Sequence, residues 1–256
     1  MSAIEGQKFR PRNPGAGILA LLLILTACTP APPPPGGSST VSSPAAPAAT
    51  PSLTAPPGDT DEIGPPQSGD RVISSRIALD WSWPGPGRAF RGAHDNPVPL
   101  APPPAAPLPT LYAIGAGQHA SASPPYDQLS FRFSGGFPSY DIEFVPQLLA
   151  DSSGLPVPLP GAGAILKVAF RGAQAHTADG TASTVTRAPA PGVGYRALTS
   201  YAQAGDFEGV LSYGLGVGRA AATVPETRLR VYEVEKIQQG RHLYVVAIQL
   251  DSTPWK

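Results

Sequence analysis

The chain has 256 residues, and its 18 Lys and Arg balance its 18 Asp and Glu, which leaves neither a basic footprint for nucleic acid nor a polybasic patch for anionic lipid. A single cysteine excludes a disulfide within the chain, so an exported domain of this sequence rests on its hydrophobic core alone. A content of 34 Pro and 28 Gly exceeds what one compact domain of this length uses and points to long linkers.

Residues 1–27 read as a lipoprotein signal peptide. Lys8, Arg10 and Arg12 precede an apolar run over 16–25, and Leu25-Thr26-Ala27-Cys28 closes it. A positive region, a short apolar core and a small-residue cleavage site follow the secretory order. With cysteine at the cut point, the stretch resembles a bacterial lipobox, whose thiol receives a diacylglycerol before cleavage on its N-terminal side. The apolar run is shorter than the ~20 residues that a bilayer-spanning helix needs. Cys28 is therefore the expected lipidation site. The expected location is the cell membrane, lipid-anchored, on the extracellular or periplasmic side.

Residues 28–69 hold Pro, Ala, Ser, Thr and Gly, with almost no larger apolar side chain. Such a segment cannot bury enough surface to fold, and it reads as a disordered tether. In polyproline II, at ~3.1 Å per residue, it would stand its cargo off the membrane by at most ~120 Å. Residues 70–107 are expected to be partly ordered. Ile73, Ile77, Leu79, Trp81 and Trp83 fall on one parity, which predicts a strand over 71–83 that either joins the following domain or orders on a partner. A proline-rich connection over 97–109 follows.

Residues 108–252 carry a recurring period of two with turn residues between the segments. Leu129, Phe131 and Phe133 are followed, after Ser134-Gly135-Gly136, by Tyr140, Ile142 and Phe144, and the spacing predicts a hairpin. Pro156, Pro158 and Pro160 exclude a central strand over their stretch. Leu166, Val168 and Phe170 mark the next strand, a weaker one is expected over 195–201, and Phe207, Leu211, Tyr213, Leu215 and Val217 share one face of another. Two further strands run over 229–234 and 243–250, the latter apolar on both faces and so expected to be central. The fold class is all-β, an antiparallel β-sandwich.

Gly205-Asp206-Phe207-Glu208-Gly209 is the most distinctive stretch. If Phe207 faces the core, Asp206 and Glu208 lie together on the other face, about 7 Å apart. Two such carboxylates could act as acid and base, bind a cation or stay solvated, and carboxylates on one strand rarely flank a scissile bond from opposite sides. The bare backbone of Gly214, Gly216 and Gly218 admits close approach by a ligand or by the chain's own N-terminal strand. Trp81, Trp83, Tyr126, Tyr195 and Tyr201 suit either a sugar-stacking platform or the core. His94, His119, His176 and His242 show no metal-ligand spacing, and no nucleophile elbow or phosphate loop is present, so neither metal nor cofactor is expected.

Over about 108–251 the chain resembles the AMIN-like domain of bacterial surface lipoproteins. The resemblance rests on Tyr126-Asp127 leading into Leu129-Ser130-Phe131-Arg132-Phe133, on Tyr140-Asp141-Ile142-Glu143-Phe144-Val145 and on Leu166-Lys167-Val168-Ala169-Phe170-Arg171-Gly172-Ala173. Gly205-Asp206-Phe207-Glu208-Gly209-Val210-Leu211-Ser212 and Leu229-Arg230-Val231-Tyr232-Glu233-Val234 complete it. Gln128 stands where the family usually has Arg after the aromatic–Asp pair, and the last strand lacks the family's Asp. The related AMIN domains are non-catalytic sandwiches that target cell-wall amidases and secretins to peptidoglycan. The resemblance therefore implies a non-catalytic, lipid-anchored module for peptidoglycan or another envelope glycan, with Tyr126, Asp127, Asp206 and Glu208 as candidate ligand contacts. The alternatives are a docking module for another envelope protein, through an exposed sheet edge, and a glycan-active hydrolase using Asp206 and Glu208.

Overall fold

The computed structural model describes residues 63–95 and 108–255. The expected signal peptide, Cys28 and the tether as far as residue 62 lie outside the described residues, as does the 96–107 part of the proline-rich connection. In chain order the strands are β1 (Arg71–Ser82), β2 (Phe90–Gly92), β3 (Thr110–His119), β4 (Tyr126–Ser134) and β5 (Ser139–Val145). They continue as β6 (Ala162–Arg171), β7 (Leu198–Phe207), β8 (Val210–Arg219), β9 (Leu229–Gln238) and β10 (Arg241–Asp251). The described residues contain no helix.

Two five-stranded antiparallel sheets form the sandwich, one in the order β1-β9-β10-β4-β3 and the other β2-β5-β6-β8-β7. Alternation puts Leu129, Phe131 and Phe133 of β4 and Val246, Ile248 and Leu250 of β10 on the inner face of the first sheet. Leu166, Val168 and Phe170 of β6, with Leu211, Tyr213 and Leu215 of β8, do the same for the second. The rings of Phe131 and Phe170 meet edge-on across the gap, with centroids 4.9 Å apart. β10 is the central strand of its sheet, as its apolar residues on both faces predict.

Two expectations are corrected. The segments at 129–133 and 140–144 do form strands, but not a hairpin: β4 belongs to the first sheet and β5 to the second. Crossing between sheets stacks the two apolar faces against opposing layers, and period-two spacing is the same for a crossing as for a hairpin. The weaker strand expected over 195–201 begins later, at Leu198, and continues through Phe207, with a bulge between Gln203 and Gly205. The extra residue of that bulge inverts the parity, so Asp206 pairs with inward-facing Leu211, whereas Phe207 pairs with Val210 and is exposed. Phe207 therefore does not share the buried face of Leu211, Tyr213, Leu215 and Val217.

Asp206 and Glu208 do not share a face either. Glu208-Gly209 is the two-residue turn between β7 and β8, with positive φ at both residues (50° and 73°). Gln239-Gly240 joins β9 to β10 in the same way, with φ of 50° and 72°. Turns with this pair of conformations match the twist of the strands they connect.

β1 is an edge strand paired only with β9, and its register breaks three times, at Val72/Ser74, Ile77/Leu79 and Leu79/Ser82. Val72, Ile73 and Ile77 are exposed, while Leu79 and Trp83 pack against the core. The close approach expected over the bare glycines is internal, but not by the N-terminal strand. A Cβ on Gly214 would run into Leu148, which the 146–161 loop lays on the outer face of β8, and one on Gly218 would strike the Trp255 ring. The chain enters at one end of the sandwich, where Arg187 Nη1 donates to Ile63 O at 2.5 Å and Gln239 N to Asp70 Oδ1 at 2.6 Å. From there the 12 residues of β1 run to the opposite end, roughly 40 Å away at ~3.3 Å per residue.

Phe131→Ala removes a ring fully enclosed by both sheets and is expected to cost about 3–5 kcal/mol, read from denaturant midpoints at unchanged m-value. Phe207→Ala, although it alters the same residue type in a strand, is expected to leave the midpoint almost unmoved.

Candidate functional site

At the end of the sandwich far from the chain's entry, the outer face of the first sheet carries a row of aromatic, guanidinium and amide groups. Leu229 points inward at the start of β9, so alternation turns Arg230 outward, and Tyr126 is outward by the same parity in β4. The register sets Arg230 opposite Gln249 of β10, and Gln249 opposite Gln128 of β4. Arg230 Nε donates to Gln249 Oε1 at 2.5 Å, and Gln249 Nε2 donates to Gln128 Oε1 at 2.5 Å. The amide of Gln128 is thus tied to an amide on the neighbouring strand.

The Arg230 guanidinium lies 4.7 Å from the Trp81 ring centroid and 5.5 Å from that of Tyr126, and the two rings are 5.8 Å apart. His119 stacks on Tyr126 at 4.4 Å. Each cation–π contact of this half-exposed kind contributes about 0.5–1 kcal/mol and fixes the guanidinium against the rings. Of the five aromatics read as a platform, the structure brings together Trp81 and Tyr126. Trp83 turns instead to Phe144, with centroids 4.6 Å apart. Tyr195 packs on the core, and Tyr201 is buried with its hydroxyl donating to Pro189 O at 2.6 Å.

Asp127 follows Tyr126 but points inward. Its Oδ2 accepts from Ala197 N at 2.6 Å and Leu198 N at 3.2 Å, binding β4 to the start of β7 in the other sheet. Burial pushes this carboxyl up, and the two backbone donors offset only part of the shift. Asp206 lies at the opposite end of the sandwich. Both its oxygens accept from Ala175 N, at 3.2 and 3.1 Å, and its Oδ2 lies 2.8 Å from His176 Nδ1, so it pins the segment after β6 to the β7–β8 hairpin. Glu208 is exposed in the turn. The four candidate contacts thus separate into Tyr126 and Asp127 at one end, Asp206 and Glu208 at the other.

A fourth carboxylate stands outside that candidate set. Glu233 shares the parity of Leu229 and Val231 and so points between the sheets, where it is fully buried. Its Oε1 accepts from Tyr140 OH of the opposing sheet at 2.6 Å and lies 2.9 Å from His94 Nε2, and its Oε2 accepts from Arg76 Nε of β1 at 2.5 Å. Burial pushes the carboxyl up, but the hydrogen bonds from His94, Arg76 and Tyr140 outweigh it and hold the group down at about 2. The Tyr140 phenol is pushed far above its ordinary range by burial and by Glu233. A carboxylate so fully engaged is held ionised and is no proton-transfer group at neutral pH. Parity was the available signal, because a Glu in register with Leu229 and Val231 has to meet donors inside.

Among the described residues no group of His, Cys, Asp and Glu is arranged to hold a metal ion. The model of the AMIN-like domain matches residues 109–243, more than half of the chain. The chain belongs to the AMIN-like domain family. No curated protein and no solved structure matches it. Within the AMIN-like match lie β3 to β9 and the start of β10, with Tyr126, Tyr140, Arg230 and Glu233. Arg76, Trp81 and His94 come from the N-terminal segment before the matched range.

Two measurements follow from these carboxylates. The folded Glu233 carboxyl lies at about 2 against 4.5 for the free group, so its stabilisation is complete above pH 4.5 and drains as pH falls toward 2. Glu233→Gln is expected to lose about 1–3 kcal/mol at pH 7 and to show a flatter melting profile between pH 4.5 and 2 than the wild type. Asp206→Asn should lower the melting temperature by weakening the bonds to Ala175 and His176, and Glu208→Gln should leave it within the error of the scan. Equal effects of the two would contradict the placement of Glu208 in the turn.

Proposed function

We propose that the chain is a lipid-anchored, non-catalytic envelope module that binds peptidoglycan or a related envelope glycan on the Trp81–Arg230–Tyr126 row. The observation that carries this reading is the cluster itself: two half-exposed rings and a guanidinium, which the buried amide of Gln249, itself bonded to Gln128, fixes from behind. A sugar ring offers an apolar face for stacking on the rings and hydroxyl oxygens that accept from the guanidinium. Membership of the AMIN-like family supports a peptidoglycan-related role for the module.

The carboxylates support binding without turnover. Asp206 and Glu208, the pair that a hydrolase would need, do not converge, and Asp127, Asp206 and Glu233 are occupied in holding the chain together.

The test is co-sedimentation of the full chain with purified sacculi. Trp81→Ala is expected to weaken retention about three- to tenfold, the equivalent of roughly 0.7–1.4 kcal/mol, with little change in melting. Retention unaffected by both Trp81→Ala and Arg230→Ala would remove the row from the binding surface. Release of soluble muropeptides by the wild type would overturn the non-catalytic reading. Anchoring is tested separately: Cys28→Ala should abolish acylation and shift the chain out of the detergent-soluble membrane fraction or block its processing.

A further inference from the structure

Beside Trp83 the second sheet has an incomplete ladder. β5 and β6 pair from Ser139↔Arg171 to Val145↔Ile165, and β5 then leaves at Pro146, whereas β6 starts at Ala162 and remains paired with β8 from there on. Phe144 directs its carbonyl away from β6, accepting from Gly87 N at 3.3 Å. Backbone groups alternate in direction along a strand. Val145 therefore faces Ile165, and Gly163, two residues before Ile165, aims its N–H and C=O into the space that β5 has left. No strand of the described residues takes that space. A cleft of 610 Å³ does, walled by Trp83 and Phe144, by Pro86 and Pro146, and by Val224 and Pro225.

We propose that this cleft receives a short, extended, uncharged peptide segment of another protein, added to β6 as a strand. Its main chain pairs with Gly163, and an apolar side chain lies against the Trp83–Phe144 ring pair. Strand addition of this kind draws affinity from main-chain hydrogen bonds and selectivity from the side-chain pocket. Two features of the cleft choose this occupant over others. Among the described residues no charged side chain lines it, so a charged ligand group would be desolvated there without a partner. Among the described residues its one side-chain polar group is the Trp83 indole N–H, which leaves most of a sugar's hydroxyls unmet, while an alkyl chain would cover the Gly163 N–H and C=O and leave both unpaired. A peptide meets both conditions. The overhang of β6, Ala162 to Ala164, limits the paired stretch to a few residues. The cleft is separate from the glycan row, since Trp83 faces Phe144 where Trp81 faces Arg230, and the proposal stands without that reading.

The full chain grown with 5-fluorotryptophan carries reporters at Trp81, Trp83 and Trp255, read by fluorine NMR. Titration with the capped, uncharged peptide acetyl-Ala-Val-Ala-Leu-Ala-amide is expected to shift the Trp83 resonance saturably and to leave the buried Trp255 in place. Pro225→Glu, on a surface loop, sets a carboxylate in the wall and is expected to weaken binding at least about tenfold at unchanged melting temperature. Trp83→Phe keeps a ring on Phe144 and is read through the Trp81 and Trp255 signals for folding and by equilibrium dialysis of the peptide, with a similar loss expected. The proposal fails if no Trp83 shift develops by about 5 mM peptide. It fails equally if an N-acetylglucosamine trimer or octyl glucoside gives the saturable shift and the peptide does not, or if Pro225→Glu binds the peptide like the wild type.

Discussion

A carboxylate enclosed between two sheets has to be met by donors, and Glu233 imposes that condition on the rest of the chain. The side chain is fixed by its parity in β9, so the donors have to come to it. Tyr140 reaches it from the opposing sheet, Arg76 from the edge strand and His94 from the segment after β2. One buried charge thus fastens three parts of the chain that are far apart in sequence. Breaking such an arrangement by removing one member costs more than the pair itself contributes, because the remaining charge is left unmatched. The N-terminal segment is for this reason joined to the sandwich by electrostatics as well as by its ladder to β9, and the residues it brings, Trp81 and Trp83 among them, are held in fixed places.

Much of the architecture was legible from alternation alone. The inner faces of β4, β6, β8 and β10 follow their sequence period, and the central place of β10 follows from its apolar residues on both sides. What alternation does not encode is which strand lies beside which. The turn after Ser134 looks the same in sequence whether it returns the chain to the same sheet or delivers it to the other, and only the packing of Phe131 and Phe133 on Phe170 decides. A bulge is equally silent, since nothing in Gln203-Ala204-Gly205 announces the added residue, yet it turns Asp206 inward and Phe207 outward. Glu208-Gly209, by contrast, is recognisable in retrospect as a two-residue turn. In the candidate site, Trp81 and Tyr126 were readable as aromatics but not as neighbours, because their meeting depends on the register of β1 against β9 and on the two strands between them.

The sandwich is polar in the directional sense. Asp206, Glu208 and the entry of the chain gather at one end, while Glu233 makes its bonds near the middle of β9. Trp81, Tyr126, Arg230 and the cleft beside Trp83 gather at the other, where rings and backbone face outward. Internal bonds hold both ends, through Asp206 at one and Asp127 at the other, and the ring cluster and the cleft lie at the second.

The irregular register of β1 has a consequence for neighbouring copies. An edge strand whose residues Arg71–Ile77 are exposed on both faces, with Val72, Ile73 and Ile77 among them, would ordinarily invite a second sheet to zip alongside. Three breaks in register leave no more than a few consecutive residues with the regular spacing that such zipping requires. Copies brought close together would therefore find no long ladder to extend at this edge, and each sandwich would stay a separate unit there.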